Sequence, residues 1–137
     1  MTEVRADTFF WIAVTNPRDS AHKAALALLD QQPRPVLVTT DEVLTEYLAY
    51  FAGAGANLRG NAGRAVRGLL EKPQVRVIPQ SRESFLAGLE LYLARPDKGY
   101  SLTDCISMET MRREGLEEAL TNDRHFEQEG FRAVFRD

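Results

Sequence analysis

The chain has 137 residues, 44% of them hydrophobic, which is enough to fill the core of one domain without added staples. No run reaches the roughly 18 to 20 apolar residues of a membrane span, and no basic segment precedes an apolar leader core, so a cytoplasmic protein without a membrane partner is expected. One cysteine and two histidines exclude an internal disulfide and a typical zinc cage, which leaves oxygen ligands for any metal.

In chain order, Val4 to Asp7 is predicted as a short strand, followed by an apolar helix over Phe9 to Val14 that Asn16-Pro17 breaks. Asp19 or Ser20 is expected to cap a second helix, with Ala21, Ala24, Ala25, Leu28 and Leu29 on one face, ended by Pro33 and Pro35. Val36-Leu37-Val38 is a second strand, running into a helix from Asp41 to about Ala52 that stops near Gly53 and Gly55. A further helix covers Asn57 to Lys72, loosened by Gly60, Gly63 and Gly68 and closed by Pro73; Val75 to Ile78 is the third strand. Ser81 caps a helix whose predicted buried stripe is Phe85, Leu86, Leu89 and Leu93, and residues 96–99 are a loop. Thr103 is expected to open a helix that runs to Glu114 and stops at Gly115. The strand Ala119 to Thr121, a helical turn over Asp123 to Gln128 and the strand Arg132 to Phe135 complete the chain. Alternating strands and helices predict an α/β fold, a central mostly parallel sheet of four to five strands flanked by helices, with no internal repeat and residues 1–137 as one domain.

In such a sheet, function gathers beyond the carboxyl ends of the strands. Asp7 ends the first strand, Asp41, Glu42 and Glu46 follow the second, Asp104 begins a helix, and Asp123 follows the fourth strand. Carboxylates folded together repel one another and are costly to desolvate, so such a group needs cations or protons. Mg²⁺ or Mn²⁺ suits that oxygen set and leaves positions for phosphate oxygens. The matching chemistry is phosphodiester hydrolysis by metal-activated water, with no covalent nucleophile; no paired Ser/His/Asp or Cys/His set, phosphate-cradling glycine loop or GxGxxG is present. The net charge of −3 argues mildly against nucleic acid, but neutralising Asp7, Glu46, Asp104 and Asp123 takes it from −3 to +1.

Four strings carry a family resemblance. Val4-Arg5-Ala6-Asp7-Thr8-Phe9-Phe10-Trp11-Ile12-Ala13 resembles the opening strand and Asp-Thr signature of PIN domains. Residues 39–46, Thr-Thr-Asp-Glu-Val-Leu-Thr-Glu, are similar to their second motif. Ser101-Leu102-Thr103-Asp104-Cys105 resembles the third, and Leu120-Thr121-Asn122-Asp123-Arg124-His125-Phe126 the fourth, all in family order. The resemblance implies a PIN-like three-layer fold and a Mg²⁺- or Mn²⁺-dependent ribonuclease acting on RNA. Asp7, Glu46 and Asp104 would be the core metal ligands, Asp123 a fourth acid acting directly or through water, and Thr8 and Thr103 supporting hydroxyls. The short length is similar to toxins of the VapC type, which implies a small antitoxin partner and a homodimer.

Several of these residues have structural readings as well. Thr39-x-x-Glu42 fits a capping box, which assigns Glu42 to the helix start and leaves Glu46 as the ligand. Asp104 and Asp123 also suit first helical turns. His125 is read first as structural, with contact to the scissile phosphate or proton transfer as its second reading, and Cys105 as a small core residue. Arg59, Arg64 and Arg67 share a helix that either grips RNA or faces solvent or an antitoxin. Trp11, Tyr47, Tyr50 and Phe51 are read first as core, with a partner surface around them as the second reading. Three rival functions were weighed. A receiver-type signalling module lacks its adjacent acid pair and late lysine here, and an Asp-x-Asp phosphatase has Phe9 in place of its second acid. A non-catalytic PIN-like RNA-binding scaffold would lack some of the four acids.

Overall fold

The computed structural model describes residues 2–136. Five strands, β1 (Glu3–Ala6), β2 (Val36–Thr40), β3 (Val75–Ile78), β4 (Glu118–Leu120) and β5 (Arg132–Ala133), form one sheet in the order β3-β2-β1-β4-β5, and every neighbouring pair is parallel. The chain builds outward from β1 through β2 to β3, then crosses back to lay β4 on the other side of β1. Right-handed crossovers in opposite directions deposit helices on opposite faces and leave a crevice where the order reverses, at the carboxyl ends of β1 and β4.

Helices α1 (Thr8–Thr15), α2 (His22–Leu29), α3 (Asp41–Tyr50) and α4 (Ala56–Leu69) cover one face around Val4, Ala6, Phe10, Leu37, Val43, Tyr47 and Leu120. Helices α5 (Arg82–Ala94) and α6 (Leu102–Glu114) cover the other around Val38, Leu91, Cys105, Met108, Met111 and Ala119; the short α7 (Arg124–Gln128) adds Phe126. Successive residues of β1 therefore serve different layers, as the two-residue period of a strand requires.

Some sequence expectations are corrected. Asp7 lies just beyond β1, as the N-cap of α1. The inward face of α5 is Ser84, Gly88 and Leu91, while Phe85, Leu86 and Leu93 stand exposed at 38%, 49% and 64% and Leu89 is half-buried. The reason is proximity: a Cβ on Gly88 would lie 2.4 Å from Ile106 Cγ1 and 3.1 Å from Ile106 N, so only small residues let α5 approach α6. Thr40, not Thr39, caps α3, accepting from Val43 N at 3.2 Å. Thr39 is buried, donating to Ala6 O at 3.1 Å and accepting from Trp11 Nε1 at 3.3 Å, so no Thr39–Glu42 capping box forms. The capping box sits instead at α6, where Ser101 rather than Thr103 is the N-cap and Asp104 its reciprocal partner.

The second helix begins after Ala21, with Asp19 Oδ1 accepting from Ala21 N at 2.9 Å, and Ala24 is exposed. Strand β5 ends at Ala133 because its partner β4 is only three residues long; Phe135 turns back to donate to Thr121 O and packs on Phe9 and Phe10. Trp11, Tyr47 and Phe51 are buried and only Tyr50 is exposed, so they offer no continuous partner surface; Trp11 and Tyr47 floor an apolar cleft of about 670 Å³ between α1, α2 and α4. Arg59 and Arg64 are spent locally, on Ala52 O and Asn61 Oδ1. No helix among the described residues is long and apolar enough to cross a membrane.

Candidate active site

The pairing of Ala6 with Leu120 brings the ends of β1 and β4 side by side. Asp7 emerges from the first, Thr121 to Asp123 from the second, and α6 starts above them. Asp7 is 9% exposed and occupies an N-cap, yet makes no capping hydrogen bond. An aspartate there normally accepts from the backbone two or three residues on, so this carboxylate is left to face the crevice and Arg5, whose Nη1 lies 3.5 Å from Asp7 Oδ1.

Asp104, at the third position of α6, accepts from Ser101 N at 3.1 Å with Oδ2, which fixes its side chain. Burial pushes its carboxyl pKa up, the hydrogen bonds from Ser101 pull it down, and the negative charges of Asp7 and Asp123 push it up again. Asp123 caps α7, accepting from His125 N at 2.9 Å. His125 Nδ1 lies 3.3 Å from Asp123 Oδ1 and 3.8 Å from Asp104 Oδ2, and one donor atom from each of the three residues falls within 4.8 Å of the others. That nitrogen is buried with no hydrogen-bond partner.

Glu46 comes from the second turn of α3, on its exposed surface, and Thr8 Oγ1 donates to its Oε1 at 2.5 Å, tying it to the residue after Asp7. Among the described residues the ligand atoms within 4.8 Å of one another belong to Asp104, Asp123 and His125, and Asp7 and Glu46 stand outside that group, although the charges of Asp7, Asp104 and Glu46 all favour the charged form of Arg5. Thr103 is half-buried in the first turn of α6, beside Asp104, and the bonds of that turn belong to Ser101 and Asp104. Glu42 lines a separate groove with Gln80 and Phe85, and Asp41 Oδ2 accepts from Gln80 N at 2.9 Å, which anchors the β3–α5 turn.

Two residues outside the predicted ligand set also border the site. His125 read as structural, but the cap at Asp123 turns its ring toward the acids, and Tyr100 packs edge-on against it at 5.1 Å. Tyr100 in turn donates to Glu129 at 2.9 Å; Arg95 and Arg112 also bond Glu129, whose side chain is 4% exposed. Burial alone would raise the Glu129 pKa, but these three donors outweigh it and bring it down to about 2. Arg5 was the other, and its signal was legible: a charged residue inside an otherwise apolar buried strand.

The donors suit a hard divalent cation: carboxylate oxygens with one imidazole, on backbone fixed by two strand ends and two helix starts. The parallel sheet reversing at β1 and β4, with acids gathered at the reversal, defines the PIN domain, and the chain belongs to that family, whose model matches residues 6–131. Among particular proteins, it is 29% identical over 125 residues to the 23S rRNA-specific endonuclease VapC20 of Mycobacterium tuberculosis, covering 91% of this chain and 92% of that protein. The crystal structure of M. tuberculosis VapC20, described as a Sarcin-Ricin loop cleaving toxin, superposes with a TM-score of 0.79 at 31% identity, covering 93% of this chain and 95% of that one. VapBC2 from Rickettsia felis, solved bound to a DNA fragment from their promoter, matches with a TM-score of 0.67 at 15% identity over 96% and 97% of the two chains, a likeness of fold.

Proposed function

We propose that this chain, as one PIN domain, is a cytoplasmic endoribonuclease that uses Mg²⁺ or Mn²⁺ to hydrolyse RNA phosphodiester bonds, and that it is the toxin of a toxin–antitoxin pair. The observation that carries the reading is the grouping of Asp104, Asp123 and His125 beside an Asp7 that leaves its own helix uncapped. Asp7, Glu46 and Asp104 hold the ion, with Asp123 as the fourth acid. A divalent ion bound there supplies a Lewis acid that activates water and offsets phosphate charge.

The residues do the rest. Thr8 holds Glu46, Ser101 holds Asp104, and the Tyr100–Glu129 contact fixes the ring of His125. Structured ribosomal RNA is the substrate class favoured by the VapC20 relatives, and the toxin description of one of them supports an antitoxin partner.

The test is cleavage of intact ribosomes and of mixed RNA with Mn²⁺, with and without chelator. Asp104→Asn should reduce the rate by about two orders of magnitude or more, since even outer-shell changes at metal sites cost 10–100-fold. Equal cleavage by wild type and Asp104→Asn would refute the assignment.

A further inference from the structure

Arg5 occupies a position that the fold would ordinarily give to valine or leucine. It lies in the central strand, paired with Val38 and Ala119, on the sheet face that α6 covers, and it is fully buried. There its guanidinium has lost its water. Nη2 donates to Ser107 Oγ, one turn beyond Asp104, while Nε and Nη1 have no hydrogen-bond partner. Desolvation pulls the pKa down and Asp7 opposes it, with Asp104 and Glu46 adding to that opposition. A guanidinium starts so high that it keeps its charge at neutral pH.

An ion pair buried only for the sake of the fold is generally matched or bettered by apolar residues of the same volume. What an apolar residue would not provide here is positive charge beneath Asp7, Asp104 and Glu46. Resting on the metal-dependent reading above, we propose that Arg5 is a built-in counter-cation of the acidic pocket, taking the electrostatic part of a second metal, so that the chain binds one divalent ion rather than two. Without Arg5, four ionised acids are neutralised by two divalent ions. With it, the second ion would make the pocket positive before any phosphate entered, and the first is held less tightly than the acids alone would hold it. Arg5 is buried and touches no substrate, so it is a positioning residue.

Mn²⁺ binding to the full chain, followed by calorimetry and by electron paramagnetic resonance, separates the possibilities. Wild type should bind one ion up to millimolar Mn²⁺. Arg5→Met should bind the first ion about tenfold more tightly, roughly 1.4 kcal/mol, and admit a second, seen as spin coupling. Arg5→Lys, which keeps the charge, should stay near wild type, whereas a pure packing role would not separate Met from Lys in this direction. Two coupled ions in wild type, or a folded Arg5→Met that binds as wild type or more weakly, overturns the proposal. If Arg5→Met does not fold, the wild-type stoichiometry and Arg5→Lys decide it. Absence of any Mn²⁺ binding to wild type has a different signature: it removes the metal-dependent reading itself, and this inference with it.

Discussion

Replacing Gly88 by alanine adds one methyl group where, among the glycines, the space is tightest. The new Cβ would stand 2.4 Å from Ile106 Cγ1, 3.1 Å from Ile106 N and 3.2 Å from Ile106 Cα. The first contact alone would yield to a rotamer change, but the other two are backbone, so α5 and α6 must separate by a few tenths of an ångström. Alanine gains about 0.5–1 kcal/mol of helix propensity over glycine, while overpacking a tight core contact costs about 1–3 kcal/mol. The net is a loss of about 1–2 kcal/mol, which in a domain of this size lowers Tm by roughly 3–8 °C. Because Ile106 is two residues from Asp104 on the same helix, the displaced α6 should also weaken Mn²⁺ binding. Differential scanning calorimetry reads the first effect and a Mn²⁺ titration the second. An unchanged or raised Tm would refute the claim that Gly88 is there for close packing.

Three further outcomes follow from named contacts. Glu129 has its pKa lowered from 4.5 to about 2, so its contribution to stability is present above about 4.5 and is lost as pH falls toward 2; Glu129→Gln should lose about 2–3 kcal/mol at neutral pH and flatten that acid limb in pH-dependent melts. His125→Gln should weaken Mn²⁺ affinity about tenfold while leaving Tm close to wild type, and a purely structural histidine would give the opposite pattern. Phe85, Leu86, Tyr92 and Leu93 leave an apolar stripe exposed on α5, so light scattering at micromolar concentration should report a dimer that Leu93→Glu dissociates, and a strictly monomeric wild type would count against self-association.

Strands and helices were legible because proline and glycine punctuate them: Pro17, Pro33, Pro73 and Gly115 all lie at or just beyond element ends, and Gly115 takes the left-handed conformation at φ 70° that closes α6. The grouping of Asp104 with Asp123 was legible because the carboxyl ends of neighbouring parallel strands open on one crevice. Helix faces were less so. In α5 the larger apolar residues form the stripe the spacing predicts as core, but the contact with α6 selects Ser84 and Gly88, and the distance between two helices is not a property of either segment alone. Caps failed for a related reason: Thr39 and Thr40 are both competent, and the strand's pairing with β1, which buries Thr39 against Ala6 and Trp11, decides between them.

The same crevice shows how a protein with a formal charge of −3 accommodates carboxylates at the ends of β1 and β4. Asp7 stands at the N-terminus of α1 and Asp104 in the first turn of α6. Each meets the positive end of a helix dipole, a stabilisation of roughly 0.3–1 kcal/mol at exposed sites and more where water is excluded. Arg5 approaches from β1, on the sheet face that α6 covers. These contributions differ in what they fix. The helix ends come with the fold and act wherever an acid is placed on them, so they account for acids being tolerated at the crevice. The guanidinium, in contrast, is a choice at a single position of a single strand. On the proposal made for Arg5, the number of ions the pocket accepts would therefore turn on one side chain of β1, while the helix starts that tolerate the acids stay as they are.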